Sequence, residues 1–298
     1  MSSTGPVSDH IQAALSEFPV YRDYQAGKIS HEQYVDGLEA RAAEIEERLG
    51  NARHLRLVAS RYPADFDRHA GDVFAALLAK GFVSENPPVE AFSKFRETVF
   101  SSYDHGENRT FIHPDEARLV YFLSMARKPQ LMVAIGAYYG YWAIWAMPGV
   151  AAAGGRAILI DPNPAVCALA EKNFRALGFG ERTTVRAKKA ESVSPGLKPD
   201  SVDLVLLDAA GGKDNPDPAY HGKGIYAFMI EGVYDKMRDG ALLVTHNDYQ
   251  PGIGSNRLSQ PIVERSARQL ERFHAFCRQR FRKSHVAPTP DGFGVYLK

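Results

Sequence analysis

The sequence predicts an α/β protein with a Rossmann-like, doubly wound and mostly parallel seven-stranded sheet, preceded by an N-terminal helical extension. From residue 131 onward, short apolar runs of strand length alternate with longer segments of helical periodicity. Such alternation is typical of parallel strands joined by helices on both faces. Two apolar runs end the chain with only a turn between them, which predicts an antiparallel C-terminal strand at one edge. The expected division is a helical extension or lid over residues 1–110 and a sheet domain over residues 111–298.

Helical periodicity dominates the N-terminal extension. Ser30 and Gln33 have the spacing of a capping box, which opens a helix. A later helix carries Phe92, Phe95 and Phe100 on one face, a pattern typical of a core. A lid over a ligand and a homodimer surface are the alternatives for this face. The predicted helices cover residues 30–49, 63–80 and 87–100.

The sheet domain begins with a helix, since His113 is followed by proline in the first turn and then by two acids near the helix N-terminus. The predicted strands are Leu131–Ile135, Ala157–Ile160, Thr183–Ala187, Val202–Leu207, Ala241–Thr245, Ser284–Ala287 and Phe293–Leu297. The predicted helices are His113–Arg127, Tyr141–Met147, Pro164–Leu177, Ile225–Arg238 and Leu258–Phe281.

Composition excludes several classes of partner. Thirty-six basic and 35 acidic side chains nearly balance over 298 residues, so no global charge favours nucleic acid or an anionic membrane. Cys167 and Cys277 are too few for a disulfide framework, and the N-terminus lacks the pattern of a signal peptide. Leu131–Gly155 is uncharged, but its glycines, proline and tyrosines favour strand, turn and helix over a membrane span. A cytoplasmic protein with a small-molecule substrate is expected.

A glycine turn and an acid indicate a nucleotide site. Gly136 and Gly140 follow the first strand, and Asp161 ends the second. This order matches the start of a nucleotide-binding βαβ unit, in which the carboxylate takes the ribose hydroxyls. A tight turn without a ligand is the alternative. Other strands of the same predicted edge are followed by Ala190-Glu191, Asp208 and His246-Asn247, which bring further polar side chains to it.

From His113 to Gly252 the chain resembles the class I S-adenosylmethionine-dependent methyltransferases. Within them it is similar to the cation-dependent O-methyltransferases that act on catechols and caffeoyl-CoA. The likeness covers about residues 110–298. It is carried by Pro114-Asp115-Glu116, by Ile135-Gly136-Ala137-Tyr138-Tyr139-Gly140-Tyr141, by Asp161, by Asp208-Ala209 with Lys213-Asp214-Asn215, by Asn247 with Pro251-Gly252, and by Asp291-Gly292-Phe293-Gly294-Val295.

The resemblance implies S-adenosylmethionine as cofactor and a role for each residue. Asp161 would hold the ribose. The cofactor would further contact Gly136, Tyr138, Gly140, Ala190, Glu191 and Asp208. Apart from the resemblance, cation–π attraction to a sulfonium favours Tyr138 or Tyr139 at the ligand, whereas Trp142 and Trp145 are expected in packing. A divalent metal, where one is bound, would lie on Asp208, His246 and Asn247.

Two positions depart from the family pattern. Ala134 stands where the family usually carries an acid before the Ile-Gly pair, which removes a negative partner for the amino group of the cofactor. His246 stands where the middle metal ligand is usually aspartate. A neutral imidazole suits transition metals better than Mg²⁺, so the site either prefers another metal or holds none. A histidine that simply hydrogen-bonds backbone is a third reading of His246.

The leading hypothesis is methyl transfer to a small phenolic or natural-product metabolite of secondary metabolism. His246 or Lys213 would be the general base, and the N-terminal helices would form the acceptor pocket. The alternative is a cyclase of the azetidine-2-carboxylate type that releases methylthioadenosine without a second substrate. In that reading Asn247 and Tyr139 hold the amine. A nicotinamide-dependent oxidoreductase and a partner-binding module without catalysis are less favoured.

Overall fold

A computed structural model describes residues 8–49, 61–87, 89–253 and 259–298 of the protein. Its centre is a seven-stranded sheet in the order β3-β2-β1-β4-β5-β7-β6. The first five strands pair in parallel, and β7 is antiparallel to both β5 and β6. The strands are β1 (Leu131–Ile135), β2 (Arg156–Asp161), β3 (Thr183–Ala187), β4 (Val202–Leu207), β5 (Met237–His246), β6 (Lys283–Ala287) and β7 (Phe293–Leu297). The predicted fold class is confirmed.

The order of the strands fixes where a ligand can bind. Strand β1 has β2 on one side and β4 on the other. The strands that follow β1 in sequence are therefore added first on one side of it and then on the other. In open α/β sheets the crevice beyond the carboxyl ends of the strands at such a switch point is the usual ligand site. Strand β1 is apolar, β4 is apolar except for Asp203, and both are almost wholly buried, because helices cover both faces of the sheet.

The helices are shorter and more often interrupted than the sequence predicts. The predicted helix after Gly140 is a 3₁₀ turn at Ala143–Ala146 followed by an α-helix, because Pro148 lacks an N–H and starts a new helix. The predicted helix over residues 30–49 is broken at Ala40, and the one over residues 258–281 at Leu270; the start of the latter, at Leu258, lies outside the described residues. The α-helices are Ser8–Leu15, Pro19–Gln25, His31–Glu39, Ala42–Leu49, Phe66–Ala79, Val89–Ser102, Pro114–Arg127, Met147–Ala152, Pro164–Ala176, Ala190–Val193, Ile225–Val233, Gln260–Gln269 and Glu271–Arg280.

The N-terminal helices divide into two groups by their packing. Helices Phe66–Ala79 and Val89–Ser102 share one hydrophobic cluster with helix Pro114–Arg127 and one face of the sheet. The four helices before them bury their apolar side chains mostly against one another. Phe92 is buried as expected for a core face, whereas Phe100 is 58% exposed. Helices at the N-terminus are therefore present, and their role as a lid remains a prediction. Within the described part of the chain, no helix is both long and apolar enough to cross a membrane.

Candidate active site

A cavity of about 1100 Å³ opens beyond the carboxyl ends of β1, β2, β4 and β5. Its volume lies just above the usual range of about 300 to 1000 Å³ for small-molecule sites, which leaves room for a cofactor and a second ligand. Among its lining residues are nine of the predicted site residues: Gly136, Tyr138, Tyr139, Asp161, Ala190, Glu191, Asp208, His246 and Asn247.

The structure does not bring two of the predicted residues to this cavity. Gly140 has a left-handed φ of 85°, and a side chain there would meet Phe174 and Tyr103 rather than a ligand. Lys213 is exposed on the loop after β4 and is not among the residues that line the cavity. The sequence pattern placed both residues at the correct ends of their strands, but it could not predict which way each residue faces.

At Gly136 the turn that follows β1 closely approaches the turn that follows β4. Its φ is 72°, and a Cβ added there would lie 2.4 Å from the Cα of Ala209. The turn after β1 therefore packs directly on the backbone that follows Asp208. Only glycine permits both the left-handed φ and this contact.

We expect Gly136→Ala to lower the free energy of unfolding by about 2 to 4 kcal/mol, because it adds a steric clash to the cost of a positive φ. Gly154→Ala is the matched control, since Gly154 has a φ of 67° but no atom within 4 Å of its added Cβ. The free energy of unfolding of Gly154→Ala should fall by only about 1 kcal/mol. Urea unfolding measures both, and equal losses would show that the contact with Ala209 contributes nothing.

Asp161 lies at the end of β2 with both carboxylate oxygens facing backbone N–H groups. Oδ2 accepts a hydrogen bond from Tyr138 N, and Oδ1 accepts one from Asn163 N, each at 2.9 Å. A carboxylate has about four lone-pair positions, so two remain for the hydroxyls of a ribose. The acid thus fixes the turn of β1 and still faces the cavity.

A loop before the sheet domain covers one side of the cavity. Residues 109–112 contribute to the lining, whereas no described residue before them does. The described residues of the N-terminal helices are thus absent from the lining, and their part in an acceptor pocket stays a prediction. Two aromatic side chains attach the loop, since Tyr138 donates to Asn108 Oδ1 at 2.7 Å and the hydroxyl of Tyr139 lies 2.9 Å from Nδ1 of His105.

The tryptophans differ in their placement. Trp145 is buried in the core, as expected. Trp142 is also buried but lines the cavity, and its ring centroid lies 5.5 Å from that of His246. Trp142 was expected to serve in packing, but it also contributes to the wall of the cavity.

Lys223 forms an ion pair with Asp208 that the sequence analysis did not find. Nζ lies 2.6 Å from Oδ1 of Asp208, and the lysine side chain is only 17% exposed. On the other side of the same carboxylate, Nδ1 of His246 lies 3.4 Å from Oδ2. Burial alone would raise the pKa of Asp208, but Lys223 and His246 outweigh it and lower the pKa to about 2. Asp208 is therefore a stable anion held between two cationic groups.

His246 lies between two carboxylates. Its Nε2 is 3.1 Å from Oε2 of Glu116, which is completely buried, while its Nδ1 faces Asp208. Burial opposes the charged imidazole, but the two acids together raise the pKa of His246 well above its usual value. An imidazolium already holds its proton, so this geometry disfavours the predicted role of His246 as general base. Pro114-Asp115-Glu116 carried the family resemblance, and the structure gives Glu116 a direct contact within the site.

Asn247 and Asp291 complete the polar surroundings. Asn247 adopts a φ of 57°, and its amide nitrogen lies 3.4 Å from Oδ1 of Asp291. A possible trio of metal ligands, Glu116, His246 and Asp291, has ligand atoms within 4.8 Å of one another. The oxygens of Glu116, however, already accept four hydrogen bonds, from His113 N, His246 Nε2, Thr289 Oγ1 and Asp291 N.

The predicted metal ligands do not fit a divalent ion in this arrangement. Asp208 offers the one carboxylate of the set, and an ammonium and an imidazole nitrogen already face its two oxygens. Mg²⁺ binds hard oxygen ligands at 2.0–2.1 Å and would have to displace Lys223. We therefore derive no chemical step through a metal.

Comparison with known proteins finds similarity to methyltransferases. A family model described as a methyltransferase domain matches residues 133–248. The chain is 25% identical over 130 residues to catechol O-methyltransferase of Bos taurus, covering 42% of this chain and 44% of that protein. It is 23% identical over 161 residues to catechol O-methyltransferase of Niastella koreensis, covering 53% of this chain and 67% of that protein. The chain thus spans less than half the length of the bovine relative.

The solved structures that match the chain include an SAH-bound methyltransferase of Podospora anserina, with 20% identity, a TM-score of 0.48 and coverage of 78% of this chain and 97% of that one. An O-methyltransferase of Bacillus cereus in complex with SAH has 15% identity and a TM-score of 0.47, and it covers 78% and 100% of the two chains. We conclude that residues 133–248 match a methyltransferase domain and that the chain resembles the catechol O-methyltransferases.

Proposed function

We propose that this protein transfers the methyl group of S-adenosylmethionine to a hydroxyl oxygen of a small aromatic metabolite. The observation that carries the proposal is that a single cavity joins the turn of Gly136 and the acid Asp161 to the ion pair of Asp208 and Lys223. The first pair of residues suits an adenosine, and the second suits the reacting oxygen of an acceptor. The names of the two relatives, both catechol O-methyltransferases, support the same chemistry.

The cofactor would lie across the ends of β1 and β2. Asp161 would accept hydrogen bonds from the ribose hydroxyls, which are charge-assisted and therefore stronger than neutral ones. Ala190 and Glu191, at the start of the short helix after β3, would border the adenine. Gly136 lets the backbone approach the methionine part, and Ala134 below it offers no charge to the amino group.

The reaction asks the protein for alignment and for exclusion of water. A lone pair of the acceptor oxygen forms the new bond to the methyl carbon, and the electron pair of the breaking bond returns to sulfur. The hydroxyl proton passes to bulk solvent before the site closes on the acceptor, and the cofactor leaves as S-adenosylhomocysteine after the transfer. Lys223 stabilises the negative charge that the oxygen carries once its proton has left, which is electrostatic catalysis rather than proton abstraction.

An aromatic acceptor is favoured by the side chains near the reacting end. Phe111, Tyr141 and Trp142 line the cavity together with Ile225 and Met229. Flat aromatic rings stack well against such surfaces, and a phenol loses its proton more readily than an alcohol. Phenolic metabolites are therefore the proposed class of acceptor.

The test is incubation with S-adenosylmethionine and a panel of phenols that includes catechol and caffeic acid, with cyclohexanol as the matched non-aromatic control. We expect S-adenosylhomocysteine and methylated phenol in equal amounts, and no turnover of cyclohexanol. Formation of methylthioadenosine in the absence of any acceptor would overturn the proposal in favour of the cyclase. Nothing in the comparisons supports the cyclase at present.

A further inference from the structure

We propose that Lys223 supplies, within the chain itself, the positive charge that a divalent metal provides in cation-dependent methyltransferases. The inference rests on the proposed function, since it concerns the charge that the acceptor oxygen meets. It assigns Lys223 to the catalytic site and makes the reaction independent of added metal.

The position of the ammonium group is the first argument. Besides Oδ1 of Asp208 at 2.6 Å, Nζ of Lys223 lies 3.3 Å from the backbone oxygen of Asp208 and 3.2 Å from that of Ala209. Three oxygens from the end of one strand thus surround a single cation, as they would surround a metal ion. The two carbonyl contacts are long for hydrogen bonds, so one N–H of the ammonium can turn to an acceptor oxygen in the cavity.

The second argument is the chemistry of the neighbouring residue. An aspartate at position 246 would give a metal a second carboxylate beside that of Asp208. His246 instead places a ring nitrogen 3.4 Å from Oδ2 of Asp208. Hard divalent ions prefer carboxylate oxygens, and a lysine and a histidine around one carboxylate repel a further cation. Histidine in place of aspartate at position 246 and the presence of Lys223 therefore both weaken the binding of a divalent metal ion.

The third argument is that the lysine is held in place. Its ammonium lies 5.1 Å from the ring centroid of Tyr226, and its side chain is largely buried. The hydroxyl of Tyr226 in turn donates to the backbone oxygen of His246 at 2.7 Å. A cation fixed in this way is preorganised for a developing negative charge, whereas an exposed lysine would first have to be ordered.

Metal binding is tested without reference to turnover. Calorimetry and electron paramagnetic resonance with Mn²⁺ alone should detect no stoichiometric binding to the wild-type protein. The double variant Lys223→Ala with His246→Asp restores an aspartate pair without the lysine, and it should gain Mn²⁺ binding. Stoichiometric Mn²⁺ on the wild type would overturn the inference, whether or not a methyl acceptor has been found.

Catalysis is tested with the phenol that the wild type methylates. Lys223→Met should lower kcat by about 100-fold, as expected for the loss of one charged group in the site, while Lys223→Arg retains part of the rate. Lys223→Met also loses stability, since Asp208 loses one of its two cationic partners, so kcat is measured well below its unfolding transition. Its affinity for S-adenosylhomocysteine should stay close to the wild type, which a purely structural role would not predict. EDTA should leave wild-type turnover unchanged.

Lys198→Met is the control, because Lys198 is exposed on the far side of β4 from the loop that holds Lys223. An EDTA-sensitive wild type would overturn the inference, and so would full activity of Lys223→Met. Failure to methylate any phenol would instead count against the proposed function, since the Mn²⁺ measurements stand without it.

Discussion

Replacement of Asp161 by alanine should weaken the binding of S-adenosylhomocysteine by about 100-fold. The carboxylate lies at the end of β2, on the wall of the cavity, with lone pairs left over from its bonds to Tyr138 N and Asn163 N. Each hydrogen bond from a ribose hydroxyl to a charged acceptor contributes about 1.5 to 3 kcal/mol, and the loss of two such bonds at the lower end of this range corresponds to about 100-fold. Isothermal calorimetry measures it directly.

Two further variants separate binding from folding in this experiment. Asp161→Asn keeps one acceptor oxygen and should lose about tenfold in affinity, since its bonds are no longer charge-assisted. Glu171→Ala removes an exposed acid from the helix that follows β2 and should bind as the wild type does. Unchanged affinity in Asp161→Ala, with the fold intact by circular dichroism, would place the cofactor elsewhere and remove the basis for the other assignments at this edge.

The sheet could be predicted from the sequence because its strands are buried on both faces. A buried strand reads as a continuous apolar run, and Thr183–Ala187, Val202–Leu207 and Phe293–Leu297 have the predicted bounds. The strand ends then brought most of the predicted site residues to one cavity. Breaks in helices were missed, because Leu270 is an ordinary buried leucine and carries no local sign of a boundary.

The partners within the site could not be predicted, because they are distant in sequence and depend on side-chain direction. Lys223 is 15 residues from Asp208 along an irregular loop, and Glu116 is 130 residues from His246. No periodicity or spacing relates such pairs. The family resemblance included Glu116 but gave it no role, and of the two predicted general bases, His246 and Lys213, the lysine is exposed and does not line the cavity.

Glu116→Gln should lower the free energy of unfolding by about 3 to 5 kcal/mol, the usual cost of removing one partner of a buried ion pair. Glutamine keeps the volume of the side chain, so no cavity accounts for the loss. Its amide can replace only one of two carboxylate oxygens that together accept four hydrogen bonds, and its NH₂ group would face donors. Urea unfolding at neutral pH measures the difference from the wild type.

The pH dependence of the free energy of unfolding shows whether pairing with His246 accounts for the stabilising effect of Glu116. Because its pKa is raised in the folded protein, its pairing with Glu116 contributes fully below the ordinary value of 6.5 and is lost as the pH rises through the raised value. The gap between wild type and Glu116→Gln should therefore narrow as the pH increases above neutral. Glu97→Gln, at an exposed position of helix Val89–Ser102, should differ from the wild type by no more than about 0.5 kcal/mol at any pH. A gap that stays constant with pH would mean that Glu116 stabilises the neutral donors of Thr289 and Asp291 rather than a charged imidazole.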